Sequence, residues 1–179
     1  MNDKALQIAV RANILAGLSR HGLSDVSVVA ANQPTNQGRV EGPTIYFFPL
    51  PESRYGWQHT KRKYDPATSE FKREERQWIE SSFQVQCLSN DDPYSTTSMT
   101  AKDILNIVAM IIAGRDFIDE MRKLGVGLQR ITAIRNPYFV NDHGEFEPAP
   151  SFDFTVSHLR AIIEQSKTAE RITVSTHPI

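Results

Sequence analysis

The residues of this 179-residue chain that could do chemistry are five histidines, one cysteine and one aspartate pair. His21, His59, His143, His158 and His177 are scattered, and none stands at metal-ligand spacing from another His, Cys or carboxylate. His143 follows Asp142 in a turn-forming stretch, which predicts exposure. His158 lies in an alternating segment, which predicts a hydrogen-bonded structural role. Cys87 is alone, so it can form neither an internal disulfide nor a cysteine-based zinc site. It sits on the apolar side of an alternating run and reads as a buried small hydrophobe rather than a nucleophile. Asp91 and Asp92 are neighbours in a polar loop without a third ligand at metal spacing, so they read as solvated. No nucleophile elbow, Walker-type loop or dinucleotide fingerprint occurs. Gly125-Val126-Gly127 closes a helix and opens a strand, the reverse of a phosphate-binding turn. The expectation is therefore no catalytic residue, no cofactor and no metal site.

The one patterned cluster of charge is basic. Arg54 to Gln77 holds seven Lys/Arg and four Asp/Glu, although the whole chain has a formal net charge of −1. Lys61, Arg62, Lys63, Lys72 and Arg73 are interleaved with Trp57, Tyr64 and Phe71. Such charge runs are commonly the solvated tip of a hairpin. They also suit an arm that touches a partner subunit or a nucleic-acid backbone, with aromatic rings for stacking and cations for phosphate. No groove-reading motif is present, which argues against recognition of DNA sequence.

The elements that would position these residues centre on Trp78 to Leu88. Ile79, Ser81, Phe83, Val85 and Cys87 alternate with Glu80, Ser82, Gln84 and Gln86, the period of a long strand with one buried and one polar face. Asn2 or Asp3 caps a helix from about Lys4 to His21, with Leu6, Val10, Ile14 and Leu18 as its stripe and Gly22 as its stop. Val26 to Ala31 and Thr44 to Phe48 read as strands on either side of a polar loop, Asn32 to Pro43. Arg54 to Gln77 reads as an extended β-hairpin turning at Asp65-Pro66-Ala67-Thr68. Thr100 and Asp103 form a capping-box variant ahead of an apolar helix to about Ala113. After Gly114, a second helical stretch runs from Arg115 to Leu124, giving one bent helix or two consecutive ones. Val126 to Arg135 and Phe152 to His158, extended to Ile163, read as further strands, with a turn at Asp142-His143-Gly144. Glu164 to Glu170 reads as a linker to a short β-prone end, Ile172-Thr173-Val174.

This order predicts an α+β fold: a mainly antiparallel sheet, helices packed on one side, and the extended hairpin at about 54–77. One domain over residues 1–179 is expected, with a tail at about 164–179. Hydrophobic residues make up 40% and charged residues 23%, ordinary values for a globular chain. The start of the sequence lacks the build of a signal peptide, and no apolar run is long enough for a membrane helix. The lone cysteine fits a reducing compartment, so synthesis in cytosol and no membrane partner are expected.

In its order of elements the chain resembles the tail terminator and neck ring (gateway) proteins of long-tailed bacteriophages. The resemblance rests on the helix Lys4 to His21, the aromatic strand Thr44 to Phe48 and the alternating strand Trp78 to Leu88. It continues through Asp91 to Thr100 and Ala101-Lys102-Asp103-Ile104 opening a helix. Leu124-Gly125-Val126-Gly127-Leu128 entering a strand and the late strand Ser151 to Leu159 complete it. The basic hairpin tip and Asn136 to Pro150 are not clear matches. The resemblance implies a structural virion subunit, assembled in host cytoplasm. It implies a homo-oligomer, a hexameric ring at the head-proximal end of the tail. Such a ring would terminate the tail tube, contact the tail tube protein and a head-side connector or adaptor protein, and pass genomic DNA through its lumen. It implies no catalysis and no cofactor. The competing readings are another head–tail completion ring, a nucleic-acid-contacting module built on the basic hairpin, and an enzyme whose site is assembled from distant residues.

Overall fold

The computed structural model describes residues 1–30, 42–68, 70–89, 99–140 and 146–167. Most of the loop read at Asn32 to Pro43 lies outside the described residues. So do the loop with Asp91 and Asp92, the turn with His143, and the end segment with Ile172 to Val174 and His177.

Helix α1 (Asp3–Arg20) starts where the Asn2 side chain accepts from the Ala5 N–H at 2.8 Å, satisfying one of the free donors of the first turn. Leu6, Val10, Ile14 and Leu18, spaced by four, are all buried. Such side chains contribute roughly 1.5–3 kcal/mol each through burial, as an upper range. The helix stops at Gly22, whose φ of 77° is open to glycine at no steric cost. The Leu23 N–H then closes back on the Leu18 carbonyl at 3.0 Å.

Helix α2 (Ala101–Ala113) opens with the expected capping box between Thr100 and Asp103. Its backbone leaves the helix at Gly114, at φ −70° and ψ 151°, before α3 (Arg115–Lys123) begins. The two helical stretches are thus consecutive helices. Gly17 of α1 lies against Ile111 of α2. A Cβ on Gly17 would fall 2.3 Å from Ile111 Cγ2, so the missing side chain sets how closely the helices approach.

The strands are β1 (Ser27–Ala30), β2 (Thr44–Pro49), β3 (Ser53–Asp65), β4 (Glu70–Leu88), β5 (Val126–Ile131), β6 (Tyr138–Val140), β7 (Phe146–Pro148) and β8 (Ser151–Lys167). The main sheet has the order β1-β2-β4-β8-β5, with β3 also on β4, and β6 pairs with β7 separately. Among the described residues β1 and β2 run parallel and every other strand pair is antiparallel. This is the α+β class expected.

Burial on β4 alternates as its sequence alternates. Ile79, Ser81, Phe83, Val85 and Cys87 are buried, and Glu80 to Gln86 on the other parity are half-covered. Phe83 sits at the middle of the core, edge-on to Phe47 at 6.2 Å and stacked on Phe154 at 5.3 Å. All three helices lie on this buried side.

Two expectations are corrected. The strand read as Val126 to Arg135 ends at Ile131, although Ile134 still packs on the core and Arg135 makes an isolated bridge to Ser151. The stretch read as a linker from Glu164 is strand as far as Lys167, because it pairs with Glu70–Arg73 of β4. The projection is therefore not a bare hairpin. It is a three-stranded arm, β3-β4-β8, and β4 runs unbroken from the arm into the core.

Candidate assembly surfaces

The arm leaves the body at a small buried polar cluster. Ser81 of β4 and His158 of β8 both face the core side, at 2% and 1% exposure. Ser81 Oγ donates to Glu52 Oε1 at 2.8 Å, and Ser81 Oγ and His158 Nε2 are 3.0 Å apart. The serine proton is committed to the glutamate, so Nε2 must be the donor in the second contact. This is the opposite of a serine poised for attack, where the histidine nitrogen accepts the hydroxyl proton. Burial pushes the His158 pKa down, and the positive charges of the Met1 amino group and Arg160 add to this. Arg160 in turn pairs with Asp3 and lies 3.8 Å from Glu52, tying the start of α1 to the arm's root. The cluster positions strands; no substrate could reach its hydroxyl.

Cys87 is buried, and loss of hydration pushes its pKa up to about 12, so the thiol stays protonated. Among the described residues no three His, Cys, Asp or Glu side chains gather as a cation site.

Strand pairing divides the five basic residues picked out from the sequence. Lys61 is opposite Glu74, Arg62 opposite Arg73, and Lys63 opposite Lys72. Directly opposed residues share a face, so Lys61, Lys63 and Lys72 lie on one face of the arm and Arg62 and Arg73 on the other. Acids temper both faces. Lys72 pairs with Asp65 at 3.3 Å, Arg76 pairs with Glu74 at 2.8 Å, and Arg73 pairs with Glu75. The Asp65 carboxyl is held below its ordinary pKa chiefly by the Ala67 N–H, with Lys72 assisting. The Glu74 carboxyl is held low chiefly by its bond from Arg76. Lys61, Arg62 and Lys63 make no close ion pair among the described residues.

Aromatic side chains are abundant on this arm. Trp57 is 98% exposed, next to Gly56 with its φ of 70°, where the β3–β4 register shifts. Tyr55 and Trp78 face each other across the strands and are both exposed, and the Tyr64 and Phe71 rings pack at 5.0 Å.

The second unclad surface is the even-numbered face of β4 with its neighbours. Glu80, Ser82, Gln84 and Gln86 lie beside Asp153, Thr155 and Ser157 of β8, and no helix among the described residues covers them. Its polar groups bind one another. Ser82 and Thr155 hydroxyls are 2.9 Å apart, Gln129 donates to Ser157 Oγ at 2.7 Å, and Arg135 donates to both Asp153 oxygens at 2.8 Å.

A profile described as E217 gateway protein gp29 matches residues 5–168, from the first turn of α1 to the end of β8. The chain belongs to that bacteriophage family. Family membership agrees with the resemblance read from the sequence, and it covers all three arm strands as well as the body. No curated protein sequence matches the chain. Among solved structures, the chain is similar to the sheath/tube terminator of an extracellular contractile injection system, PVC, in its extended state. The TM-score is 0.53 at 11% identity, and the match covers 96% of this chain. It covers 62% of the terminator's chain, so this protein spans under two thirds of that length, and the likeness is one of fold.

Proposed function

We propose that this gateway-family protein is a structural virion subunit that ends the phage tail at its head-proximal side. In this reading identical copies form a ring, hexameric in number. The ring caps the tail tube protein, meets the head-side connector, and lets the genome pass. The observation that carries the reading is the family match over residues 5–168. The fold shared with a sheath/tube terminator supports it.

The physical properties of the chain are consistent with this role. Buried and half-buried polar side chains here tie one strand to another, Ser81 to Glu52 and His158, and Ser82 to Thr155. A cyclic ring requires two different surfaces per subunit, one meeting the other on the next copy. Here the helices clothe one side of the sheet, and no helix among the described residues lies on the other. A passage for DNA should not grip phosphate strongly, and the ion pairs on the arm reduce its free positive charge.

The test is to locate and count the protein. A tagged copy should label the head–tail junction in electron micrographs, and mass measurement on isolated necks should give a ring of about six copies. Label elsewhere on the particle, or a single copy per neck, would overturn the reading.

A further inference from the structure

The geometry points to a contact that joins neighbouring copies edge to edge: the outer edge of β3 on one copy pairs with the outer edge of the distal half of β8 on the next. The inference rests on the ring reading above and specifies which strands close it.

The arm is a sheet with two open sides. On the inner side of each, β3 and β8 pair with opposite edges of β4. On the outer side, β5 reaches β8 only from Phe154 to His158. Beyond that, no strand among the described residues pairs with β8 from Leu159 to Lys167, or with the outer edge of β3. At the root the Met1 amino group already donates to the Leu159 carbonyl at 3.1 Å, and β3 bulges between Tyr55 and His59. Beyond these points each edge presents backbone donors and acceptors that no strand among the described residues takes up, which is a template for another strand.

Beyond the bulge between Tyr55 and His59, the two edges match in span and direction. Tyr55, Trp78 and Leu159 lie at one height across the arm, and Arg62, Arg73 and Glu164 at another. Both edge strands run antiparallel to β4 and therefore parallel to each other. A neighbour brought alongside by rotation about an axis along the strands would set its β3 parallel to β8. The same step repeats from copy to copy, which is the heterologous relation a ring needs.

Charge chooses this pairing over the alternatives. A β3–β3 contact centred on Arg62 would place Lys61, Arg62 and Lys63 against the same three cations. A β3–β8 contact at equal height places exposed Arg62 beside exposed Glu164 and Thr60 beside Ile162. Ile162 and Ile163, both β-branched, are 60% and 65% exposed, which is unusual on an edge left to water and ordinary on one that is covered.

The experiment uses assembled necks carrying Arg62→Cys and Glu164→Cys in the same chain. Within one copy these positions are separated by β4, roughly 9–10 Å, too far for a disulfide. Oxidation should therefore yield a ladder of covalent multimers on denaturing gels, while either single variant yields none. In parallel, Arg62→Glu should weaken assembly, and Arg62→Glu with Glu164→Arg should restore it. Rings of normal mass with no ladder and no rescue would overturn the edge pairing and leave the ring reading intact. Absence of any ring in the unaltered protein on tails would remove both.

Discussion

Ser81 on β4 and His158 on β8 meet diagonally across the strand pair, with Oγ and Nε2 3.0 Å apart at the point where the arm leaves the body. Because Ser81 gives its proton to Glu52, the histidine donates through Nε2, and its buried Nδ1 has no partner among the described residues. The surroundings therefore hold a neutral ring. The groups facing it are Ser81, Glu52, Arg160, Asp3 and the Met1 amino group.

A pH dependence of stability follows. The native pKa of His158 lies below its ordinary value of 6.5, so the unfolded chain takes up the proton first. The stabilisation is complete above pH 6.5 and is lost as pH falls from there toward the native pKa. The loss is bounded at about 1.4 kcal/mol per pH unit. Chemical denaturation at pH 7.5 and 5.5 should show a smaller acid loss for His158→Leu than for the parent protein. Equal losses would contradict the assignment.

Gly17 makes a packing prediction. Gly17→Ala would put its methyl group into Ile111, a β-branched side chain between two helices that cannot swing clear without repacking. Overpacking of this kind costs roughly 1–3 kcal/mol, and the denaturation midpoint should fall accordingly. An unchanged midpoint would mean that α1 and α2 are set apart by something else.

Cys87 should be silent in the native protein. Its burial and its pKa of about 12 leave almost no thiolate at pH 8. A thiol reagent should label it only after denaturant is added. Rapid labelling of the folded chain would show that the core face of β4 opens readily.

The basic arm should not behave as a DNA-binding module. Of its cations, Lys72, Arg73 and Arg76 are engaged by Asp65, Glu75 and Glu74. Few phosphates could be neutralised, so affinity for duplex DNA should be weak at low salt and vanish at about 0.15 M. Tight binding at that salt, abolished by substituting Lys61, Lys63 and Lys72 together with glutamine, would restore the nucleic-acid reading.

Much of this architecture was visible in the residue pattern, for a definite reason. Alternation and helical spacing report burial, and they succeed where one face is buried. The stripe Leu6-Val10-Ile14-Leu18 and the run Ile79 to Cys87 are such cases. The capping box at Thr100 was legible because its chemistry is local. The strand character of Glu164 to Lys167 has no mark in the sequence: Glu164 and Gln165 stay exposed although their backbone pairs with β4, so no hydrophobic period appears there. The basic residues formed one cluster in the sequence but stand on two faces, since strand parity separates Arg62 and Arg73 from Lys61, Lys63 and Lys72. The Glu52–Ser81–His158 cluster joins residues far apart in the chain, and only strand register brings them together. Ser81 carried the one hint, as a small polar residue in an apolar row.

The central claim is that this chain ends and caps the tail. Its most direct test is electron microscopy of particles made without the protein, with the wild-type copy supplied in trans as control. The account predicts unjoined heads and tails of irregular length, corrected by the supplied copy. Tails of uniform normal length, joined to heads in infectious particles, would contradict it.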